Sequence, residues 1–250
     1  MDLAGRKILI TGANRGLGAA FVEAALGRRA DTIYAAARNP TSLPEFSDPA
    51  RVIPVRLDVT DQETMVAAAN EASDVDLLIS NAGLPCYGPI FGDQDETTFR
   101  AALEVNAFGP LRLVRAFSGA LIRPDTGVIF VLSAAAVALS RSAPMYSASK
   151  AACLMLALAV REELRGNGTT VTTVLPGFMS TDMAANFDLP KASPMQVAEQ
   201  SLDGWATGQN TVWPDRFAEV VHDAVGEKYQ RMLDEPRATR EEMQAAFLGT

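Results

Sequence analysis

The hydrophobic pattern along this 250-residue chain switches between two periods. Short, nearly all-apolar runs at 7–11, 32–37, 51–56, 76–80, 127–133 and 170–175 predict strands buried on both faces. Between them, apolar residues recur at helical spacing, over 16–28, after residue 60, up to 117 and over 146–165. Thr60 with Glu63, and Asp93 with Glu96, read as capping boxes that open two of these helices. Strands alternating with helices predict an α/β fold, a doubly wound parallel sheet with helices on both faces. No linker or internal repeat interrupts the pattern, so one domain over 1–250 is the economical reading.

Beyond Pro176 the pattern loosens. Residues 178–193 carry scattered Phe and Met between Gly177 and Pro190 and suit a lid over a site. Ser193-Pro194-Met195-Gln196 restarts a helix, with serine as cap and proline at the first helical position. Residues 210–214 read as a short edge strand and 217–233 as a helix, and Thr239 with Glu242 caps a last one. The part from 194 to 250 is thus a helical C-terminal extension.

Composition narrows the class. The chain is 48% hydrophobic and 21% charged with a formal charge of −8, which suits a globule and disfavours nucleic acid as a partner. The longest uninterrupted apolar run, 151–160, is too short to cross a bilayer, so no membrane partner is expected. Two cysteines and one histidine, His222, lack metal-ligand spacing. A reducing, cytoplasmic setting is expected, with strand sequence from Lys7 leaving no room for a signal peptide.

The first strand runs into Thr11-Gly12-Ala13-Asn14-Arg15-Gly16-Leu17-Gly18 and then a helix. Gly12 permits the turn, while Gly16 and Gly18 let backbone approach a phosphate at the helix N-terminus. Asn14, Arg15 and Leu17 lie in the same turn and belong to the expected cradle. An NAD-binding strand would end on an acid about twenty residues on, but the second strand ends at Ala37-Arg38. Arg15 and Arg38 could grip a 2′-phosphate, so NADPH is favoured over NADH.

Tyr146 and Lys150 stand four residues apart, on one helix face, downstream of Ser133 at a strand end. A free phenol titrates near pH 10, and a nearby ammonium favours its phenolate. Such a tyrosine can exchange protons with a substrate oxygen.

With Asp58-Val59, Asn81-Ala82-Gly83, Asn106 and Pro176-Gly177 followed by Thr181, these motifs resemble the short-chain dehydrogenase/reductase family over roughly residues 5 to 185. The resemblance implies that Tyr146 is the general acid, that Ser133 orients a carbonyl, and that Lys150 binds the nicotinamide ribose and lowers the Tyr146 pKa. It implies that Asn106 anchors a water beside Lys150, that Asp58 and Val59 bracket the adenine, and that Asn81, with Ala82 and Gly83, supports the sheet near the cofactor. Thr181, after Pro176-Gly177, would meet the carboxamide. Asn106 could instead kink its helix, Asp58 could end a strand, and Thr181 could cap the next segment. Ser133 is followed by three alanines where the family has a second serine and a glycine, and the family's glycine-rich ending is missing.

The expected pocket residues are Cys86, Tyr87, Val137, Leu139, Phe178, Met179, Met183 and Phe187, nearly all apolar, with Arg141 the one nearby cation. They suit an apolar small-molecule ketone or aldehyde. The helix over 146–165 is apolar almost all round and could pack on a second subunit, giving a homodimer or a tetramer. Two other functions stay open, an NAD-linked alcohol dehydrogenase and an NADP-sensing regulator without chemistry.

Overall fold

The computed structural model describes residues 2–91 and 96–248. Its seven-stranded sheet contains β1 (Lys7–Thr11), β2 (Thr32–Ala37), β3 (Val52–Arg56), β4 (Leu77–Ser80), β5 (Gly127–Val131), β6 (Thr170–Val174) and β7 (Thr211–Val212). The order is β3-β2-β1-β4-β5-β6-β7, every pair parallel. The chain leaves β1 toward one edge and returns at β4 toward the other. Ligands of such sheets sit at that reversal, beyond the carboxyl ends of the strands.

The strands feed two cores by simple alternation. Leu9, Leu78, Val128 and Phe130 enter one layer, with Met65 of α2 (Gln62–Glu71), Leu113 of α4 (Gly109–Ala116) and Leu154 of α6 (Pro144–Glu163). Ile8, Ile10, Ile79 and Ile129 enter the other, with Phe21 of α1 (Gly16–Gly27) and Trp205 of α7 (Pro194–Ala206). This is the single-domain, Rossmann-like sheet that the apolar runs predict.

Several local expectations need correction. Asp61 caps α2, because its carboxylate accepts from the Glu63 and Thr64 amides, while Thr60 is held by Asp58. Asp93 lies outside the described residues. The helix expected up to Phe117 is divided into α3 (Glu96–Leu103), a π-helical stretch (Glu104–Phe108), α4 and a short α5 (Ser118–Leu121). α8 (Arg216–Asp234) breaks at Gly226, whose φ of 74° is non-helical. The last helix, α9 (Pro236–Leu248), starts before Thr239, whose hydroxyl donates to the Glu235 carbonyl. Ser193 does cap α7, accepting from the Gln196 amide at 3.1 Å. Among the described residues no helix is long and apolar enough to cross a membrane.

Candidate active site

The glycine turn after β1 is shaped by close packing. Gly12 and Gly16 take φ of 68° and 55°, the left-handed region that glycine enters without strain. A side chain on Gly18 would run into the Gly12 carbonyl, so α1 and the turn touch backbone to backbone. Arg15 occupies the N-cap position of α1 with no side-chain cap bond, and no acid stands in the first turn. The amides of that turn therefore face outward with the positive end of the helix dipole, which is the arrangement an anion needs. A phosphate-bearing dinucleotide fits this cradle.

Thr11 and Asn81 lock β1 to β4 at the reversal. The Thr11 hydroxyl accepts from the amides of Asn81 and Ala82 at 2.9 and 3.1 Å, and the Asn81 side chain donates to the Thr11 carbonyl at 2.9 Å. A Cβ on Gly83 would approach Asn106 Oδ1 and Lys150 Nζ at 3.5 Å, so the loop after β4 passes close to both. Asp58 closes its own turn by accepting from Thr60. Val59 is buried against Gly109. Arg38 is exposed, with no ion-pair partner among the described residues. Arg15 is paired with Asp182 at 2.8 Å, both side chains largely exposed.

Asn106 sits in the π-helical stretch and is 1% exposed. Its side chain accepts from the Leu84 amide and donates to the Leu84 carbonyl, both at 2.8 Å, and donates to Ser149 Oγ at 2.9 Å. Ser149 in turn donates to the Tyr146 carbonyl at 2.8 Å. The amide group thus makes three of its four possible hydrogen bonds to protein and braces the first turns of α6. The brace uses the same residue that the resemblance makes a water anchor, at a true irregularity of its helix.

Ser133 follows β5 and caps a short 3₁₀ turn, accepting from the Ala135 amide at 3.1 Å. Lys150 is buried, its ammonium donating to the Val131 carbonyl at 3.1 Å and lying 5.8 Å from the centre of the Tyr146 ring. Burial pulls the Lys150 pKa down. Burial also pushes the Tyr146 phenol up to about 12, and a hydrogen bond with Ser133 works against that rise. The lowering of this phenol by Lys150 is what the resemblance implies, and the 5.8 Å between the ammonium and the ring centre keeps the pair within electrostatic reach.

Ser133 and Tyr146 open into a cavity of about 200 Å³. Tyr87, Leu139, Phe178, Met179, Met183 and Phe187 line it, as predicted. Cys86 and Val137 do not line it: Cys86 is buried beneath the loop, and Val137 packs on the core layer under α6. Arg141 is exposed and is not part of the wall. Pro176, Gly177 and Thr181 complete the side nearest the sheet. Thr181 stands at the N-cap position of a 3₁₀ turn, but its hydroxyl makes no cap bond.

The segment 178–193 folds over this cavity. Met179 and Ala192 form a parallel bridge at its base, and the Tyr87 hydroxyl donates to the Met183 carbonyl. Two further contributors, Ser149 and Phe217, carry no mark of their role in the sequence. Ser149 is hidden inside the Tyr-x-x-x-Lys spacing. Ala134, Ala135 and Ala138 form an apolar wall. Phe217 reaches the cavity from α8, with Asp215 beneath it accepting from the Gly177 amide at 2.7 Å. Asp215 before a helix is a cap signal, and its accepting from the Ala218 amide at 2.9 Å bears that out. Its second bond, to Gly177, has no local signature.

Known proteins share this fold. The family model described as short chain dehydrogenase matches residues 6–191. A short-chain dehydrogenase, PC-15, of Penicillium crustosum is 33% identical over 211 residues, covering 81% of this chain and 77% of its own. A dehydrogenase/reductase SDR family member 7B of Mus musculus is 32% identical over 247 residues, covering 90% and 72%. The crystal structure of a short chain dehydrogenase from Burkholderia cenocepacia J2315 in complex with NADP superposes with a TM-score of 0.84 at 36% identity, covering 97% of this chain and 98% of that one. Fold, motif order and relatives agree, and the chain belongs to the short chain dehydrogenases, oxidoreductases that work with a nicotinamide dinucleotide.

Proposed function

We propose that this protein is an NADPH-dependent reductase of an apolar ketone or aldehyde, giving the alcohol. The observation that carries this reading is one cavity holding both the Ser133 and Tyr146 hydroxyls, walled by apolar side chains and lying beside the Gly12–Gly18 cradle. Gly12, Asn14, Arg15, Gly16, Leu17 and Gly18 would hold the phosphates, with Asp58 and Val59 at the adenine and Asn81, Ala82 and Gly83 beneath the ribose. Pro176, Gly177 and Thr181 would meet the nicotinamide end. Bound there, the reduced dinucleotide supplies the hydride that the carbonyl carbon accepts.

The residues of the chain do the rest. Ser133 and Tyr146 hold the carbonyl oxygen, and Tyr146 passes its hydroxyl proton to that oxygen as the C=O bond becomes single. Lys150 stands behind the phenol as the buried cation that stabilises the phenolate left over. The residues 178–193 act as a lid that keeps water away. A sensor without chemistry would not need the phenol, the serine and the buried ammonium together.

Arg38 is available for a 2′-phosphate, and the NADP held by the Burkholderia cenocepacia relative supports the same choice. A homodimer would use the outer face of α6, where Ala148, Met155 and Ala159 are exposed. A reducing, cytoplasmic setting suits two free, buried cysteines. The reading is tested by incubating the protein with NADPH or NADH and a panel of carbonyl compounds and following loss of dihydronicotinamide absorbance. Consumption with apolar carbonyls and NADPH is expected. Consumption with none of them would overturn it.

A further inference from the structure

Four aromatic rings form a continuous wall on one side of the cavity. Phe217 meets Phe178 edge to face at 5.1 Å and 78°, Phe178 meets Phe187 at 5.1 Å, and Phe187 meets Tyr87 at 5.7 Å. The first ring comes from the C-terminal extension, beyond the 6–191 region that the family model matches. Its position is fixed rather than adaptable. Asp215, 4% exposed, caps α8 and at the same time accepts from the Gly177 amide. A Cβ on Gly177 would come within 2.7 Å of Phe217 Cβ and of Asp215 Oδ1, so only glycine lets the two segments meet.

We infer that Phe217 is a specificity-determining residue, and that with Phe178 and Phe187 it selects carbonyl compounds bearing a single aromatic ring. This rests on the carbonyl-reductase reading above. Size and chemistry both point there. An apolar cavity of about 150 Å³ accepts benzene, and this one measures about 200 Å³ including the side at Pro176, Gly177 and Thr181 given to the nicotinamide, so it limits the substrate to a single ring with a short carbonyl arm. Phe217 lines the cavity and is 44% exposed. Aromatic rings attract a third ring through edge-to-face contacts that a saturated ring of the same size cannot make. Ala134, Ala135 and Ala138 also line the cavity, and their small side chains leave room for a ring.

The test compares benzaldehyde with cyclohexanecarbaldehyde, which differ in ring type and little in size. For the wild type, the ratio of kcat/KM values should favour the aromatic aldehyde by about three- to tenfold. Phe217→Leu should bring the ratio close to one, and Phe217→Trp, which keeps a ring, should preserve it. Calorimetric titration of both aldehydes into the protein without dinucleotide should show the same loss of preference in Phe217→Leu. A wild-type ratio near one, or an unchanged preference in Phe217→Leu, overturns the inference while the reductase reading stands. If neither these aldehydes nor any other apolar carbonyl of the panel is reduced, the reductase reading falls. The titration then decides the ring preference by itself, equal affinities overturning it.

Discussion

Asp215 and Gly177 are joined by a 2.7 Å hydrogen bond across 38 residues of chain, and this bond ties the C-terminal extension to the turn beside the substrate cavity. The other carboxylate oxygen of Asp215 caps α8 through the Ala218 amide. One buried side chain thus serves a helix end and an active-site turn together. Asp215→Ala removes both bonds. A lost cap costs about 1 kcal/mol, and a lost hydrogen bond to a buried charged group about 1.5–3 kcal/mol. The expected outcome is a Tm lower by roughly 5–15 °C, read by thermal melting. KM for the carbonyl should rise with it, because Gly177 and Phe217 lose their common anchor. A variant that melts like the wild type would show that the bond contributes nothing.

The pH dependence follows from Tyr146. Its folded pKa, about 12, lies above the ordinary phenol value of about 10, so the folded state holds this proton more tightly than the unfolded chain does. The stability that comes from this is complete below about pH 10 and is lost as pH rises toward 12. Reduction needs the protonated phenol, so kcat should stay flat from pH 7 to about 9 and decline only in strongly alkaline solution. A pH profile of NADPH oxidation under saturating carbonyl checks this. A decline centred near pH 7 would contradict it.

Lys150 is a buried cation whose acceptor in the fold is the Val131 carbonyl, and burial lowers its pKa. A depressed pKa on a cation means that its charge is a liability in the folded state, which eases as pH rises toward the unfolded value. Such groups are retained for function at a cost in stability. Lys150→Met should therefore melt at or above the wild-type temperature while losing turnover by about 100-fold or more. A drop in Tm of more than about 4 °C, roughly 1–2 kcal/mol, would mean that the ammonium holds the fold together.

Cofactor choice should depend on Arg38. A charge-assisted bond to a 2′-phosphate is worth roughly 10- to 100-fold in affinity. Arg38→Ala should weaken NADPH by that factor and leave NADH within about twofold, measured by fluorescence titration. Arg15 begins from its pair with Asp182, and exposed pairs of this kind contribute little. Asp182→Asn should free Arg15 and tighten NADPH by a few-fold. Equal loss of both dinucleotides in Arg38→Ala would remove the basis for the NADPH preference.

Much of this was legible in the sequence because strand burial is a local signal. Runs such as Ile8-Leu9-Ile10 and Leu77-Leu78-Ile79 are apolar at every position, which only a strand covered on both faces requires. Gly12, Gly16 and Gly18 were legible because their spacing follows a strand and opens a helix. What escaped was set by contacts between distant segments. Thr60 and Asp61 are both good caps, and the contest is decided by Asp58, which captures Thr60. The sequence left open that Asn106 kinks its helix, but its bonds to Leu84 and Ser149, in other segments, have no local signal. A Tyr-x-x-x-Lys spacing reports proximity and says nothing about how far the phenol is desolvated. Phe217 and Asp215 were missed because nothing near them in sequence names Gly177 as their partner.

The central claim is that Tyr146 donates the proton beside a dinucleotide that the glycine cradle holds independently. Tyr146→Phe keeps the ring and removes only the hydroxyl. With NADPH and a carbonyl that the wild type reduces, kcat should fall by about 10²- to 10⁴-fold. NADPH affinity, measured in the same preparation by fluorescence titration, should stay within about twofold of wild type. A Tyr146→Phe protein that reduced the carbonyl at the wild-type rate would contradict the account.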